Sequence, residues 1–296
     1  MYWESELRID SDGFTHRMKK TWYLVLPILL FTSVSSSAQD RWENYFQAGM
    51  RAFQAGDLPK AELLLKASRL KAELEAEAGN PNALEMRLDS NSAIAAVLRQ
   101  EGKPAEAEAV LREQLDLLKS SGRGDDDPQT SMALHNLGLV LFDQKKLEEA
   151  GKILGRAVEL RRKYDPQPQR NLAMSLLSLG GAYFHQGHVR EAEDAVLQAR
   201  EILSKIPAPI RKPEDEASMM RADHNLALIY VEKKNYVEAE VLYKRAITTM
   251  EKLYGAMSPG LIPYLNNYAK LLRILKRDPE AKVLEARVET IKKQDK

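Results

Sequence analysis

An alanine returns along this chain at Ala61, Ala107, Ala150, Ala192, Ala239 and Ala281, at intervals of 42 to 47 residues. Twelve residues before each stands a second small residue: Gly49, Ala95, Gly138, Gly180, Ala227 and Ala269. A fixed period of this length belongs to an array of supersecondary units rather than to one compact domain. Small residues at paired positions let two antiparallel helices cross closely, because a bulky side chain on either would hold them apart. The apolar frame around each pair also repeats. Leu137, Leu179 and Leu226 precede the small residue, and Leu141, Tyr183 and Tyr230 follow it by three. Leu154, Val196 and Tyr243 follow the alanine by four, and Ala157, Ala199 and Ala246 follow it by seven. The pattern predicts helical hairpins stacked into a solenoid.

These residues resemble the tetratricopeptide repeat family, whose helix A carries Leu-Gly or Leu-Ala and then an aromatic, and whose helix B carries Ala, Phe/Tyr/Leu and Ala. The stretch His224-Asn-Leu-Ala-Leu-Ile-Tyr230, followed by Asn235-Tyr-Val-Glu-Ala239 and Tyr243-Lys-Arg-Ala246, is similar to that motif, as is His135-Asn-Leu-Gly138 with Leu147-Glu-Glu-Ala150. The family's usual period is about 34 residues. The shortest interval here is 42, and eight extra residues add about two helical turns to each unit. The longer unit resembles the kinesin-light-chain type. Tyr254-Gly255 through Pro259, then Leu265-Asn-Asn-Tyr-Ala269, is similar to the junction between such repeats. The resemblance implies an all-α, right-handed α-α superhelix of about six helix-turn-helix repeats. They fall at about 42–75, 88–121, 131–164, 173–206, 220–253 and 262–295, within a region spanning 39–296. Two departures stand near the ends. Gln114 replaces a small residue in the second repeat, and Glu285 replaces the large apolar residue of the sixth helix B. Terminal repeats commonly depart from the consensus as caps.

Residues 1–38 read as an N-terminal extension and signal peptide. Met18-Lys19-Lys20 supplies a basic start, and Trp22 to Val34 forms an apolar run interrupted by Pro27, Thr32 and Ser33. Ser36-Ser37-Ala38 then places small residues at the cleavage positions. Translation starting at Met18 would give the usual Met-Lys-Lys opening of a bacterial signal. The expected location is therefore periplasmic or secreted, with an uncleaved anchor as the alternative. The absence of cysteine excludes disulfides and a lipobox anchor. Formal net charge is +1 over the chain, which offers no electrostatic case for nucleic acid. No stretch approaches the roughly 20 apolar residues of a membrane-spanning helix.

Catalytic and metal chemistry find little support. His185-Gln-Gly-His188 has a ligand-like spacing, but its glycine places it in a turn, and no cysteine or nearby acid completes a zinc set. Asp125-Asp126-Asp127 lacks the alternating acids of a calcium loop. Arg123-Gly124-Asp125 lies in a loop of breakers and charge. No nucleophile motif or phosphate-binding glycine loop is present, so the chain is expected to be no enzyme and to need no cofactor.

What remains is a binding face. In the resembled family, the helix-A residues between the packing positions line a concave groove. On this chain they are His135, Asn136, Leu139 and Phe142; then Leu177, Ser178 and Phe184; then His224, Asn225 and Leu228; then Asn266, Asn267, Lys270 and Arg273. Asn136, Asn225 and Asn267 share one repeat position, and side-chain amides both donate to and accept from a peptide backbone. Two alternatives stay open: the asparagines satisfy neighbouring helix ends, and the two phenylalanines belong to the core. The expected function is a protein- or peptide-binding scaffold with an unidentified partner. Its rival is a structural or self-associating part of an envelope complex.

One outcome tests the N-terminal reading. Mass spectrometry of the native protein should find the mature chain beginning at Gln39, and Leu26→Arg with Leu29→Arg should leave precursor inside the cell. An intact N-terminus on soluble cytoplasmic protein overturns it.

Overall fold

The computed structural model describes residues 41–124, 127–164 and 169–294. The signal-peptide reading of residues 1–38 and the Asp125 end of the Arg-Gly-Asp tripeptide lie outside them. Among the described residues the chain forms twelve α-helices and two short 3-10 turns, with no strand. The helices run α1 (Trp42–Gln54), α2 (Leu58–Glu77), α3 (Ala83–Gln100), α4 (Pro104–Ser120), α5 (Pro128–Asp143), α6 (Leu147–Tyr164), α7 (Arg170–His185), α8 (Val189–Ser204), α9 (Pro213–Glu232), α10 (Tyr236–Tyr254), α11 (Ile262–Ile274) and α12 (Asp278–Gln294). Odd-numbered helices are the A helices of six hairpins and even-numbered ones the B helices. The described residues divide into two compact units, one up to residue 90 and one from residue 91 onward.

Each hairpin is closed by the same turn. Helix A ends in a residue with positive φ: Gly56, Gly102, Lys145, Gly187, Lys234 and Lys276, each five residues before the repeat alanine. The following amide reaches back five residues to a helix-A carbonyl, as in Asp57 N to Ala52 O at 3.0 Å, Lys146 N to Leu141 O at 3.0 Å and Asn235 N to Tyr230 O at 2.8 Å. This is the Schellman arrangement, which satisfies the last carbonyls and reverses the chain in the fewest residues. Glycine suits the left-handed conformation because it has no Cβ, whereas the three lysines hold it at a steric cost.

Above the turn the two helices are set by one contact. All six repeat alanines are fully buried. The small residue of helix A, however, receives the side chain four positions beyond the alanine. A Cβ on Gly138 would stand 2.5 Å from Leu154 Cγ, one on Gly180 2.5 Å from Val196 Cγ2, and one on Gly49 2.7 Å from Leu65 Cγ. Leu65, Leu154 and Val196 are themselves fully buried. Burying such an aliphatic side chain contributes about 1.5–3 kcal/mol, so each hairpin gains a knob and the hole that accepts it.

The two departures from the pattern have local reasons. Gln114 is fully buried, and its amide pairs with Ser92, the Nε2 donating to Oγ at 2.9 Å. A polar group is tolerated there because it finds a partner. Glu285 remains 44% exposed and takes Arg273 as a two-point ion partner. A charged residue fits at that knob position because α12 is the last described helix and its neighbouring surface meets solvent.

In the second unit the hairpins stack with a consistent polarity. Each of α4, α6, α8 and α10 packs on the next A helix, and α5, α7, α9 and α11 touch one another in succession, while no B helix touches another B helix among the described residues. The A helices therefore form a continuous inner layer and the B helices a splayed outer one. Neighbouring repeats are also tied by the residue after the alanine. Glu108 accepts from Gln144 and Lys146 at 2.8 Å each, Glu193 pairs with Lys233 at 2.7 Å, and Glu240 accepts from Tyr268 at 2.9 Å and Arg277 at 2.7 Å. Where that residue is Gly151, Gln186 passes over it and donates to Leu147 O at 2.6 Å. The bond from Lys146, opposed by partial burial and aided by Gln144 and Arg112, holds the Glu108 pKa at about 2.

Two substitutions test this account. Gly138→Leu should overpack the crossing and cost about 1–3 kcal/mol or more, read as a lower denaturation midpoint. Lys234→Gly should relieve the left-handed turn and raise stability by up to about 1 kcal/mol. An unchanged midpoint in the first, or a fall in the second, contradicts the packing described.

Candidate functional site

The inner layer exposes one stripe of each A helix. Counted from the small residue, positions −6, −2, +1 and +5 follow the three- and four-residue spacing that shares a helical face. In α5 these are Met132, Asn136, Leu139 and Asp143; in α7 Met174, Ser178, Gly181 and His185; in α9 Arg221, Asn225, Leu228 and Glu232; in α11 Pro263, Asn267, Lys270 and Ile274.

The residues singled out from sequence divide into three groups. Asn136, Asn225 and Asn267 are half-buried on the stripe. Asn136 has no side-chain hydrogen bond among the described residues, Asn225 makes one long contact to Leu177 O at 3.5 Å, and Asn267 lies 3.1 Å from His224 Nε2. Ser178 turns back onto Met174 O at 3.1 Å. Lys270 is exposed with no ion partner among the described residues; Leu139 and Leu228 add half-buried apolar surface elsewhere on the stripe, and Leu177 is buried. Asn266 is half-buried beside Asn267.

A second group lies beneath the stripe. His135 is 5% exposed, and its Nδ1 lies 3.0 Å from Ser175 Oγ, which also accepts from Arg161 Nη1 at 2.7 Å. With two lone pairs and one hydrogen, the Ser175 hydroxyl serves either tautomer of a neutral ring, donating to a bare Nδ1 or accepting from Nδ1–H. Burial, with the positive charges of Arg161, Arg221 and Arg99, lowers the His135 pKa to about 3. These arginines come from α6, α9 and α3, so side chains of repeats two to five converge electrostatically on one point of the inner layer. His224 lies against Tyr264 with ring centres 4.3 Å apart and edge-on to Tyr243 at 5.9 Å, and burial lowers its pKa to about 4.

The third group sits at the turn end. Phe142 and Phe184 are half-buried against the core, and both approach His185, at 5.2 and 5.8 Å between ring centres. Arg273 is committed to α12, pairing with Glu285 at 2.8 Å and Asp278 at 2.9 Å. It braces the sixth hairpin, in contrast to Lys270 on the neighbouring face.

Sequence reasoning missed the −6 position, where Met132 and Met174 are 37% and 36% exposed and Arg221 occupies the same place in α9. The signal was available, since −6 lies one turn back from the asparagine position. Arg221 is open to water at its surface, yet the surrounding protein desolvates it and lowers its pKa from the ordinary guanidinium value.

Among known proteins, the tetratricopeptide repeat family model matches residues 86–163, 129–205 and 218–294. No curated protein is detectably similar in sequence. Solved structures with a similar fold include the apo form of RapI, with a TM-score of 0.68 at 13% identity over 95% of this chain and 94% of that one. BtubC (BKLC) from P. vanneervenii aligns with a TM-score of 0.63 at 18% identity over 80% and 91%. Kinesin-light-chain TPR-like repeats from Podosopora anserina align with a TM-score of 0.55 at 22% identity over 71% and 97%. At these identities the likeness is one of fold.

The buried histidine makes a measurable prediction. Its pKa is about 3 in the folded chain against roughly 6.5 unfolded. The unfolded chain therefore takes up a proton below pH 6.5 that the folded chain refuses. Stability from this site is complete above about pH 6.5 and drains as pH falls toward the folded value. Urea denaturation should show a loss of about 2 kcal/mol from His135 between pH 7 and pH 5, and His135→Gln should flatten that slope. Proton NMR showing His135 titrating near 6.5 in the folded protein contradicts it.

Proposed function

This chain belongs to the tetratricopeptide repeat family, and we propose that it is a non-enzymatic scaffold holding a protein segment or peptide against the inner stripe of its A helices. Proteins built on this repeat are protein-interaction scaffolds and adaptors, and stacked repeats offer extended concave surfaces. The observation that carries the reading is the state of the amides at position −2. All three are half-buried, and two are weakly used within the fold: Asn136 has no partner among the described residues and Asn225 makes only a 3.5 Å contact, whereas Asn267 is engaged with His224 at 3.1 Å. A partly desolvated amide without a good partner favours a ligand that supplies one. An extended backbone supplies such partners without demanding a sequence.

Export through residues 1–38 remains part of the proposal and places the partner outside the cytoplasm. No helix among the described residues is long and apolar enough to cross a membrane. Self-association is the second reading, favoured by Val237 and Val241, which stand 75% and 58% exposed one turn apart on α10 in the outer layer.

One comparison separates the two. Proteins cross-linked to the native chain are compared for wild type, for Asn136→Ala with Asn225→Ala, and for Val237→Ser with Val241→Ser. The inner pair should lose the bound proteins, by about 0.5–1.5 kcal/mol per amide contact, with little change in melting temperature. The outer pair should keep them. Loss only in the outer pair favours self-association, and a sharp fall in melting temperature in the inner pair makes the asparagines structural. Lys270→Glu should slow association with an acidic partner without unfolding, whereas Arg273→Glu should loosen α12.

A further inference from the structure

The outer layer of the second unit changes chemistry at its fifth repeat. Counted from the repeat alanine, positions −2 and +2 lie one turn apart on the outward side of each B helix. In α4 they carry Ala105 and Ala109, in α6 Glu148 and Lys152, and in α8 Arg190 and Asp194, all exposed, the last two couples being of opposite charge. In α10 the same positions carry Val237 and Val241, which are 75% and 58% exposed. In α12 the second of them is Val283, 69% exposed. Valine is a weaker helix former than the residues it replaces, because its branched side chain loses rotamer freedom against the preceding turn. Two valines where neighbouring repeats carry charges mark a surface that another surface covers.

The charges beside the valines identify that surface. Glu238 stands three residues before Val241, exposed and with no ion partner among the described residues. Lys244 and Arg245 stand three and four residues after it. Lys244 pairs with Glu240 at 2.7 Å and Arg245 with Asp223, yet their side chains stay 59% and 45% exposed. Glu240 also takes Arg277 and Tyr268, and Asp223 also takes Arg200, so the two acids are outnumbered and positive charge is left on the outward side. The helix is thus acidic one turn before Val241 and basic one turn after it. A second α10 laid antiparallel across Val241 brings Glu238 of each copy onto the partner's Lys244 and the partner's Arg245, and sets Val241 against the partner's Val241. A parallel copy sets like charge on like charge, which is destabilising. So does an antiparallel copy centred midway between the two valines, which opposes Glu238 to the partner's Glu240 and Lys244 to the partner's Lys234.

We propose that the outer face of α10 binds a second copy of this chain, the two helices running antiparallel about a two-fold axis at Val241. A two-fold contact needs one patch that complements itself, and the order acid, valine, base along α10 does so. Val283 on α12 widens the apolar area beside it. The inference rests on the self-association reading above and adds the helix, the register and the direction of the contact. It leaves the inner stripe of each copy to a client, so the two readings of function become compatible. Few side chains per copy take part, which puts the contact at the small, weak end of specific interfaces.

The chain has no cysteine, so single cysteines introduced into the full-length protein read the geometry directly. A residue on a two-fold axis faces its own copy. Val241→Cys should therefore join two chains under mild oxidation, since a disulfide needs Cα atoms within about 7 Å. Val237→Cys stands about 6 Å along the helix from the axis, hence about 12 Å from its own copy, and should stay unlinked. Light scattering at up to about 100 µM should find a dimer. Glu238→Arg and raised salt should each weaken it, the substitution by about tenfold or more. Val237→Ser with Val241→Ser should leave only monomer, with an unchanged melting temperature. Equal cross-linking at both cysteines, or a dimer that keeps its affinity in Glu238→Arg and in the valine pair, overturns this inference while the self-association reading survives. A protein that stays monomeric at every concentration overturns both, even if the valines prove to bind a different protein.

Discussion

The seating of one aliphatic side chain over one small residue governs this architecture. Leu65 over Gly49, Leu154 over Gly138 and Val196 over Gly180 bring each B helix down onto its A helix. With a larger residue in the hole the hairpin opens, because packed interiors have no slack to absorb even a methylene group. The tight six-residue reversal below the contact, with its left-handed residue five positions before the alanine, delivers the two helices at that distance. Knob and turn are coupled. A one-residue change between them would rotate the knob by about 100° and carry it off the hole.

Once hairpins are formed in this way, their stacking follows. Within the second unit α7 and α9 each meet their own B helix and the B helix before it, and touch the A helices on either side. Among the described residues no B helix touches another, so the second unit gathers its A helices in one layer. Glutamates after the alanine secure that stacking at the rim. Burial raises the pKa of Glu240, yet bonds from Lys244, Arg277 and Tyr268 outweigh it and hold the value at about 2. Glu108 and Glu240 keep their charge, and with it their hold on the next repeat, until well below the ordinary carboxylate range.

The near-neutral net charge conceals an uneven distribution. Buried acids are matched: Asp215 pairs with Arg170 at 2.7 Å, and Asp223 takes both Arg245 and Arg200. Asp223 occupies a site where α5, α7 and α11 carry Leu134, Leu176 and Leu265, so a paired charge replaces an apolar contact without opening the core. On the inner stripe the matching is partial. Asp143 pairs with Arg99, while Arg221 and Lys270 have no carboxylate partner among the described residues and Glu232 lies at the far end of α9 from Arg221.

The period, the hairpin, the six-fold count and the family resemblance were legible in the sequence because each hairpin's contacts lie within one repeat, at fixed spacings that a periodic pattern records directly. The asparagine position was legible for the same reason. Other features depend on contacts between repeats, which no single repeat records. Nothing in the motif says that His135 is held neutral between Ser175 and the field of three arginines, that Arg273 turns to α12 while Lys270 stays free, or that Gly181 faces open space while Gly180 faces Val196. Adjacent glycines look alike in a sequence. Their roles part only when a helix has two sides, one pressed against a partner helix and the other facing the channel, and the stacking of neighbouring repeats determines which side is which.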